Sequence, residues 1–278
     1  MNAVQTKGRT RNTIDKYYTK DSTASLCITL IKQYIVSSST DLVIEPSAGN
    51  GAFIEGAKTL SDNYIFYDLE PEHPEITQQD YLTLKCSEFG EKFGKVHVLG
   101  NPPFGRQSSL AIKFIKKSAG FCDSISFILP RSFKKDSLRK AFPANFHLLH
   151  EIELPDKSFL VDGAEHTVPC VFQIWEKRIY QRTPRDLLTP IYFMFVGKSD
   201  NPDISVRRVG GNAGLVDLFI GEQSVQSHYF IKFTNNKSII ENAERIKHAT
   251  YDVNNTVGPK SISKQELIFK FNALLVDR

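Results

Sequence analysis

The chain has 278 residues, 41% of them hydrophobic, and a formal net charge of +4. That length supports one substantial core with a small appended region, and no apolar run approaches the ~20 residues that span a bilayer. Residues 1–12 are polar and basic with no apolar segment behind them, which does not read as a secretory signal. Cys27, Cys86, Cys122 and Cys170 stand far apart without a C-x-x-C pair. That spacing argues against a disulfide framework or a metal site and fits a reducing, cytoplasmic setting with no membrane partner.

Taken in chain order, residues 22–36 predict a helix, with Leu26, Ile28, Leu30, Ile31, Tyr34 and Ile35 crowding its apolar side. Residues 41–45 (DLVIE) predict a buried strand, and 52–60 a helix after a glycine-rich turn. A second strand follows at 64–68, with a short third near Ile76. Residues 95–100 (KVHVLG) form another strand and 107–119 another helix; 124–130 (SISFILP), 147–153 and 167–177 complete the set. Strands alternating with helices predict an α/β fold, a Rossmann-like, mainly parallel sheet with helices on both faces. After about residue 177 the pattern changes. Pro184, Pro190, Pro202 and the run GGNAG at 210–214 punctuate short strand-like pieces at 191–196 and 229–233. Helices follow near 238–248 and 263–275. The expected organisation is an N-terminal arm over 1–20, a main domain over 21–180 and a small α+β region over 181–278.

Charge is unevenly distributed. Residues 41–80 hold nine acids and one base, Lys58. Residues 105–140 hold nine bases (Arg106, Lys113, Lys116, Lys117, Arg131, Lys134, Lys135, Arg139 and Lys140) and two acids. Such runs describe either a solvated face or a binding surface.

The segment Glu45-Pro46-Ser47-Ala48-Gly49-Asn50-Gly51 ends a strand and opens a helix. Glycines there either reverse the chain or let backbone approach a ligand, at the strand ends where open α/β sheets bind ligands. Three further features favour the ligand. Asp68 ends the next strand, where an acid can accept from ribose hydroxyls. Asp80 and Tyr81 follow a third strand, where they could hold an adenine amino group and flank its ring. Lys16-Tyr17-Tyr18-Thr19 precedes the first helix. No G-x-x-x-x-G-K-[ST] is present, and the acidic half disfavours a polyphosphate. S-adenosylmethionine, which carries a sulfonium and an ammonium but no phosphate, suits an acidic surround.

Asn101-Pro102-Pro103-Phe104 follows the fourth strand. An exocyclic amine is a poor nucleophile because its lone pair is delocalised into the ring. An asparagine oxygen and a loop carbonyl can accept its two N–H groups and aim that lone pair at a methyl donor. Proline stiffens the loop, and Phe104 offers a stacking face.

On these motifs the sequence resembles class I S-adenosylmethionine-dependent N6-adenine methyltransferases of the N-P-P-[FYW] group, in the arrangement where the cofactor motif precedes the catalytic one. The resemblance covers roughly residues 17–177. It implies that Tyr18 and Thr19 lie near the methionine end of the cofactor. It implies further that Glu45, Ser47, Gly49 and Gly51 form the cofactor loop, that Asp68 holds the ribose and that Asp80 with Tyr81 holds the adenine. Asn101, Pro102, Pro103 and Phe104 are the implied catalytic residues, with residues 181–278 as the recognition region. Residues 128–133 (ILPRSF) match the family's later strand and turn, and residues 155–172 its late hairpin. There Phe159 is either an aromatic that meets a flipped base or a core phenylalanine. Arg106, Arg131 and Lys134 are candidate phosphate contacts on a basic rim. Arg207, Arg208, Lys232 and other bases of the last hundred residues could add more. The implied partner is nucleic acid, with DNA favoured over RNA because the motif order with a trailing region is that of bacterial and viral DNA enzymes, some of them in restriction-modification systems. Methylation of a glutamine amide in a protein, and a binding module without turnover, are the competing readings; the basic rim and Phe104 disfavour the first, and an intact Asn101 the second.

Overall fold

The computed structural model describes residues 17–85, 89–183, 187–251 and 260–276. Residues 1–16, including Lys16 and the basic N-terminal run, lie outside the described residues, as do Cys86 and Pro184. The chain divides into two compact units, Met1–Arg182 and Thr183–Arg278.

The first unit runs β1 (Tyr18–Thr19), α1 (Asp21–Tyr34), β2 (Leu42–Glu45), α2 (Ile54–Lys58), β3 (Asn63–Asp68), β4 (Ile76–Gln78) and α3 (Phe89–Lys92). It continues with β5 (Val96–Gly100), α4 (Ser109–Ala119), β6 (Ser124–Pro130), α5 (Asp136–Arg139), β7 (Phe146–Glu153), β8 (Phe159–Val161), β9 (Ala164–His166) and β10 (Cys170–Lys177). Seven strands form one sheet in the order β4-β3-β2-β5-β6-β10-β7. Strands β4, β3, β2, β5 and β6 are parallel, and β10 lies antiparallel between β6 and β7. The expected Rossmann-like α/β fold is the one observed.

The apolar runs are continuous because both faces are covered. On β2, Val43 packs into one core, with Cys27, Ile28 and Ile31 of α1. Its neighbours Leu42 and Ile44 pack into the other, with Phe114 and Ile115 of α4. A strand sandwiched in this way needs apolar residues at every position. The switch in chain direction falls between β2 and β5, from which the sheet grows outward both ways, and such switch points open a crevice at the carboxyl ends of the strands. A second, three-stranded sheet, β1-β8-β9, is antiparallel throughout. Helix α2 is shorter than the expected 52–60 because residues up to Phe53 still belong to the turn.

At the opposite, amino-terminal ends of the strands, Asp41, His97 and Ser124 form a buried chain. His97 Nε2 lies 3.2 Å from Asp41 Oδ2 and His97 Nδ1 2.7 Å from Ser124 Oγ. The three are at most 4% exposed, so no substrate reaches this serine, and the trio serves to clasp β2, β5 and β6 together. Burial pushes the His97 ring below its ordinary value, although Asp41 opposes this. Burial pushes Asp41 up, but hydrogen bonds from Ser38 and Lys95 N–H and from His97 outweigh it and hold the carboxyl below its ordinary value. For a histidine depressed in the fold, the unfolded chain binds the extra proton, so stability is full above the ordinary value near ~6.5 and falls as pH drops below it. Asp41 adds a loss at still lower pH. Thermal midpoints measured between pH 7.5 and 5 are expected to fall more steeply for the wild type than for His97→Asn. Parallel profiles would remove His97 as the cause.

The second unit contains β11 (Phe193–Val196), β12 (Ile204–Arg207), β13 (Val216–Asp217), β14 (His228–Phe233), α6 (Ile239–Ile246) and α7 (Lys264–Leu275). Its sheet has the antiparallel order β11-β14-β12-β13. Phe193, Ile204, Val206 and Ile231 of the sheet pack with Ile246, Leu267 and Phe271 of the helices. Helix α7 starts where it does because Ser263 and Glu266 form a reciprocal capping box.

Candidate active site

The carboxyl ends of β2, β3, β4 and β5 surround a cleft of about 330 Å³. After Glu45 the chain turns through Gly49 (φ 54°) and Gly51 (φ 88°) into α2. Gly49 N–H donates to Asp68 Oδ2 at 2.8 Å, and Glu70 N–H donates to Asp68 Oδ1 at 2.9 Å. Asp68 therefore organises both the glycine turn and the loop after β3. Glu72 N–H donates in turn to the Gly49 carbonyl at 3.2 Å, and the Tyr18 hydroxyl donates to the Glu72 carboxylate. A Cβ on Gly49 would sit a tight 3.3 Å from the Tyr18 ring, and the turn's φ of 54° favours glycine there.

Glu45 is 2% exposed and its Oε2 has no hydrogen-bond partner. Burial, with the Asp68 charge adding, pushes this carboxyl well above its ordinary value. Gly100 (φ 130°) lies against it; a Cβ there would fall 2.9 Å from Glu45 Cγ, so glycine is what lets Glu45 sit beneath the loop that follows.

That loop carries Asn101. Its Nδ2 donates to the Tyr17 carbonyl and to Thr19 Oγ1, both at 3.2 Å. Its own backbone carbonyl accepts from Ser47 Oγ at 3.2 Å. Its Oδ1 is buried and has no partner. Pro102 is buried, Pro103 and Phe104 are half-buried, and all three line the cleft. The Phe104 carbonyl accepts from Leu110 N–H at 3.1 Å and Ala111 N–H at 3.3 Å, fixing the loop to the start of α4.

Asp80 Oδ1 accepts from Leu82 N–H at 2.9 Å and caps the short turn Tyr81–Thr83. Tyr81 lines the cleft but is 1% exposed, stacked on Phe114 and hydrogen-bonded to Ser118 Oγ at 2.7 Å. Its ring is held in the core behind the wall and does not present the open face that flanking a ring implied. Of the expected cofactor residues, Tyr18, Ser47, Gly49, Asp68, Asp80 and Tyr81 line this cleft together with all four of 101–104. Thr19 and Glu45 line a smaller adjoining recess that Asn101 shares. Gly51 lines neither and shapes the turn instead.

The cleft wall includes four carboxylates, Asp68, Glu70, Glu72 and Asp80, and no lysine, arginine or histidine among the described residues. Glu70 and Glu72 were not anticipated; their only sequence signal is the E-P-E that follows Asp68 and Leu69.

The four outer residues fall elsewhere. Phe159 is 0% exposed, packed edge-on to Tyr17 with ring centroids 6.4 Å apart, so the core alternative is the observed one and no ligand can stack on it. Phe159 belongs to the core cluster of Leu154, Cys170 and Phe172, with Tyr17 packed against that cluster. Arg106 is exposed just after the loop. Arg131 and Lys134 both pair with Glu153, at 3.2 and 2.6 Å, and Arg139 pairs with Glu151 at 2.8 Å. The Lys134 hydrogen bond, with Arg131 adding, holds Glu153 below the usual carboxylate range. The basic excess is thus partly neutralised by acids of β7, a strand the charge count over 105–140 did not include.

Cys27, Cys122 and Cys170 are buried free thiols, and no group of metal-ligating side chains occurs among the described residues. No described helix is long and apolar enough to cross a membrane.

No protein-family model and no curated protein matches the sequence. Solved structures show partial likeness. A candidate RNA methyltransferase from Pyrococcus horikoshii shares 18% identity with a TM-score of 0.43, over 60% of this chain and 88% of that one. A candidate class I S-adenosylmethionine-dependent methyltransferase from Listeria monocytogenes shares 16% identity with a TM-score of 0.44, over 61% and 64%. The methyltransferase subunit of a type I restriction-modification system from Streptococcus thermophilus shares 17% with a TM-score of 0.44, over 59% of this chain and 46% of the subunit. The chain spans less than half the length of that subunit.

Proposed function

We propose that this chain is a class I methyltransferase that moves a methyl group from S-adenosylmethionine to the exocyclic N6 amine of adenine in DNA. One observation carries the reading: Asn101 lines the cleft, its amide is anchored through its nitrogen, and its Oδ1 is left buried and unpaired. An unpaired buried acceptor costs about 1–3 kcal/mol, which an N–H of the target amine would relieve. The cofactor fits the donor set, because four carboxylates in the cleft wall favour a sulfonium and an ammonium and repel phosphates.

In this reading Glu45, Ser47, Gly49 and Gly51 shape the seat of the amino-acid end, Tyr18 closes over it, Asp68 accepts from the ribose, and Asp80 with Tyr81 lines the adenine site. The cofactor supplies an electrophilic methyl group on a sulfonium. Asn101 Oδ1 and a loop carbonyl at Pro102 or Pro103 accept the two N–H groups of the target amine, and Phe104 supports the base. These acceptors stabilise the positive charge that develops on the nitrogen as the sulfonium would become a neutral thioether, and the methylated amine then loses its extra proton to water, so no strong general base is needed. Arg106, exposed beside the loop, is the remaining outer candidate for a phosphate. A base inside a duplex must first be flipped out. The second unit, with Arg207, Arg208 and Lys232, is assigned to substrate recognition, and the order of motifs with a trailing unit favours DNA.

The test is transfer of tritiated methyl from S-adenosylmethionine to unmethylated genomic DNA, total RNA and protein, followed by digestion of labelled polymer. N6-methyldeoxyadenosine is the expected product. Label confined to methyladenosine from RNA would overturn DNA as substrate, and label confined to protein would overturn a nucleic acid altogether.

A further inference from the structure

The two-residue strand β1 lies beside the catalytic loop, and its partners, Leu160 and Phe159, come from far along the chain. Tyr18 faces Leu160 and Thr19 faces Phe159 in the antiparallel register. Lys20 N–H donates to the Ser158 carbonyl at 3.1 Å, and Lys20 Nζ reaches Glu165 Oε1 at 2.5 Å. Phe159 is sealed in the core under Tyr17. The β8–β9 hairpin therefore acts as a buttress that fixes residues 17–20. What those residues present is a pair of acceptors, the Tyr17 carbonyl and Thr19 Oγ1, and both receive the Asn101 amide nitrogen.

A carbonyl can only accept, so the Tyr17 contact decides which end of the Asn101 amide turns toward β1. One contact still leaves the amide free to swing about it. The second contact, to the hydroxyl of Thr19, a residue only 5% exposed, fixes the amide plane. Oδ1 is then the end left for a ligand.

We infer that Thr19 is a positioning residue that acts through Asn101, setting the plane of its amide, and is not a ligand of the cofactor. This rests on the reading of Asn101 as the acceptor of the target amine. The hairpin, which the sequence suggested as a place where an aromatic meets the base, serves the reaction indirectly by holding Thr19.

Thr19→Val keeps the branched shape and removes the hydroxyl; Thr19→Ser keeps the hydroxyl. Thr19→Val is expected to lower kcat on unmethylated genomic DNA about 5- to 10-fold, the loss of one neutral hydrogen bond, while the Kd for S-adenosylmethionine by calorimetry stays within twofold. Thr19→Ser should restore most of the rate. Without cofactor or substrate, the Asn101 side-chain amide resonances, assigned by their loss in Asn101→Ala, should shift in Thr19→Val and return toward wild type in Thr19→Ser. If the valine variant melts early, Thr19→Ala with the serine variant as its control gives the same comparison. Unmoved amide resonances, or a Kd raised tenfold with kcat intact, would overturn the inference. Turnover lost in Asn101→Ala but unchanged in Thr19→Val would overturn it alone, whereas turnover kept in Asn101→Ala would overturn the proposed function itself.

Discussion

Asn101→Ala is expected to lower kcat by at least ~10²–10³-fold, the scale seen when one preorganised electrostatic partner of a transition state is removed. The Kd for S-adenosylmethionine should stay within about threefold. The asymmetry follows from what each atom of Asn101 does. Its backbone carbonyl, which accepts from Ser47 beside the glycine turn, survives the substitution. Its side chain, whose nitrogen is tied to β1 and whose Oδ1 is unpaired, does not. Single-turnover methyl transfer beside cofactor calorimetry separates the two quantities. Equal loss of both would mean that the asparagine belongs to the cofactor seat.

Asp68→Ala should show the opposite split, with cofactor affinity reduced about 10- to 100-fold, corresponding to loss of ~1.5–3 kcal/mol for a hydrogen bond to a charged group. Two effects combine. The variant removes the acceptor proposed for the ribose hydroxyls and releases Gly49 N–H and Glu70 N–H, which the carboxylate now orders. Asp68→Asn, which keeps one acceptor oxygen, should fall between. The melting temperature of the cofactor-free chain should change little, since these bonds lie in surface turns. Unchanged affinity in both variants would refute the assignment of Asp68 to the ribose.

Much of the main sheet was legible because its central strands, β2, β5 and β6, are buried along their whole length. DLVIE, KVHVLG and SISFILP are short apolar runs bounded by turn residues, and β2, β5 and β6 fall within them. Motifs such as Glu45 to Gly51 and Asn101 to Phe104 were legible because they sit where strands end. Other features depend on pairing across long separations, which spacing along the chain does not encode. Strand β1 is too short for any period to show, and the Thr19 contact exists only because β8 lies beside it. Phe159 is likewise buried against Tyr17, a residue far away in the chain. The ion pairs of Arg131, Lys134 and Arg139 draw on Glu151 and Glu153, outside the basic run itself. In the second unit β12 went unrecognised because ISVR is brief and lies between a proline turn and a glycine run, and it acquires its apolar partners only from β14, α6 and α7.

The place of β10 has a consequence for biosynthesis. It is the last strand of the main sheet to be made, yet it lies in the middle of one wing, hydrogen-bonded to β6 on one side and β7 on the other. Until residues 170–177 leave the ribosome, β6 has one bare edge, and all seven of its residues are ones that end up buried. Unpaired apolar edges are templates for association between chains. Chain lengths ending between β7 and β10 are therefore the hazardous ones, and addition of β10, which brings Trp175 onto Phe142 with ring centroids 4.1 Å apart, is the event that seals this side of the nascent protein.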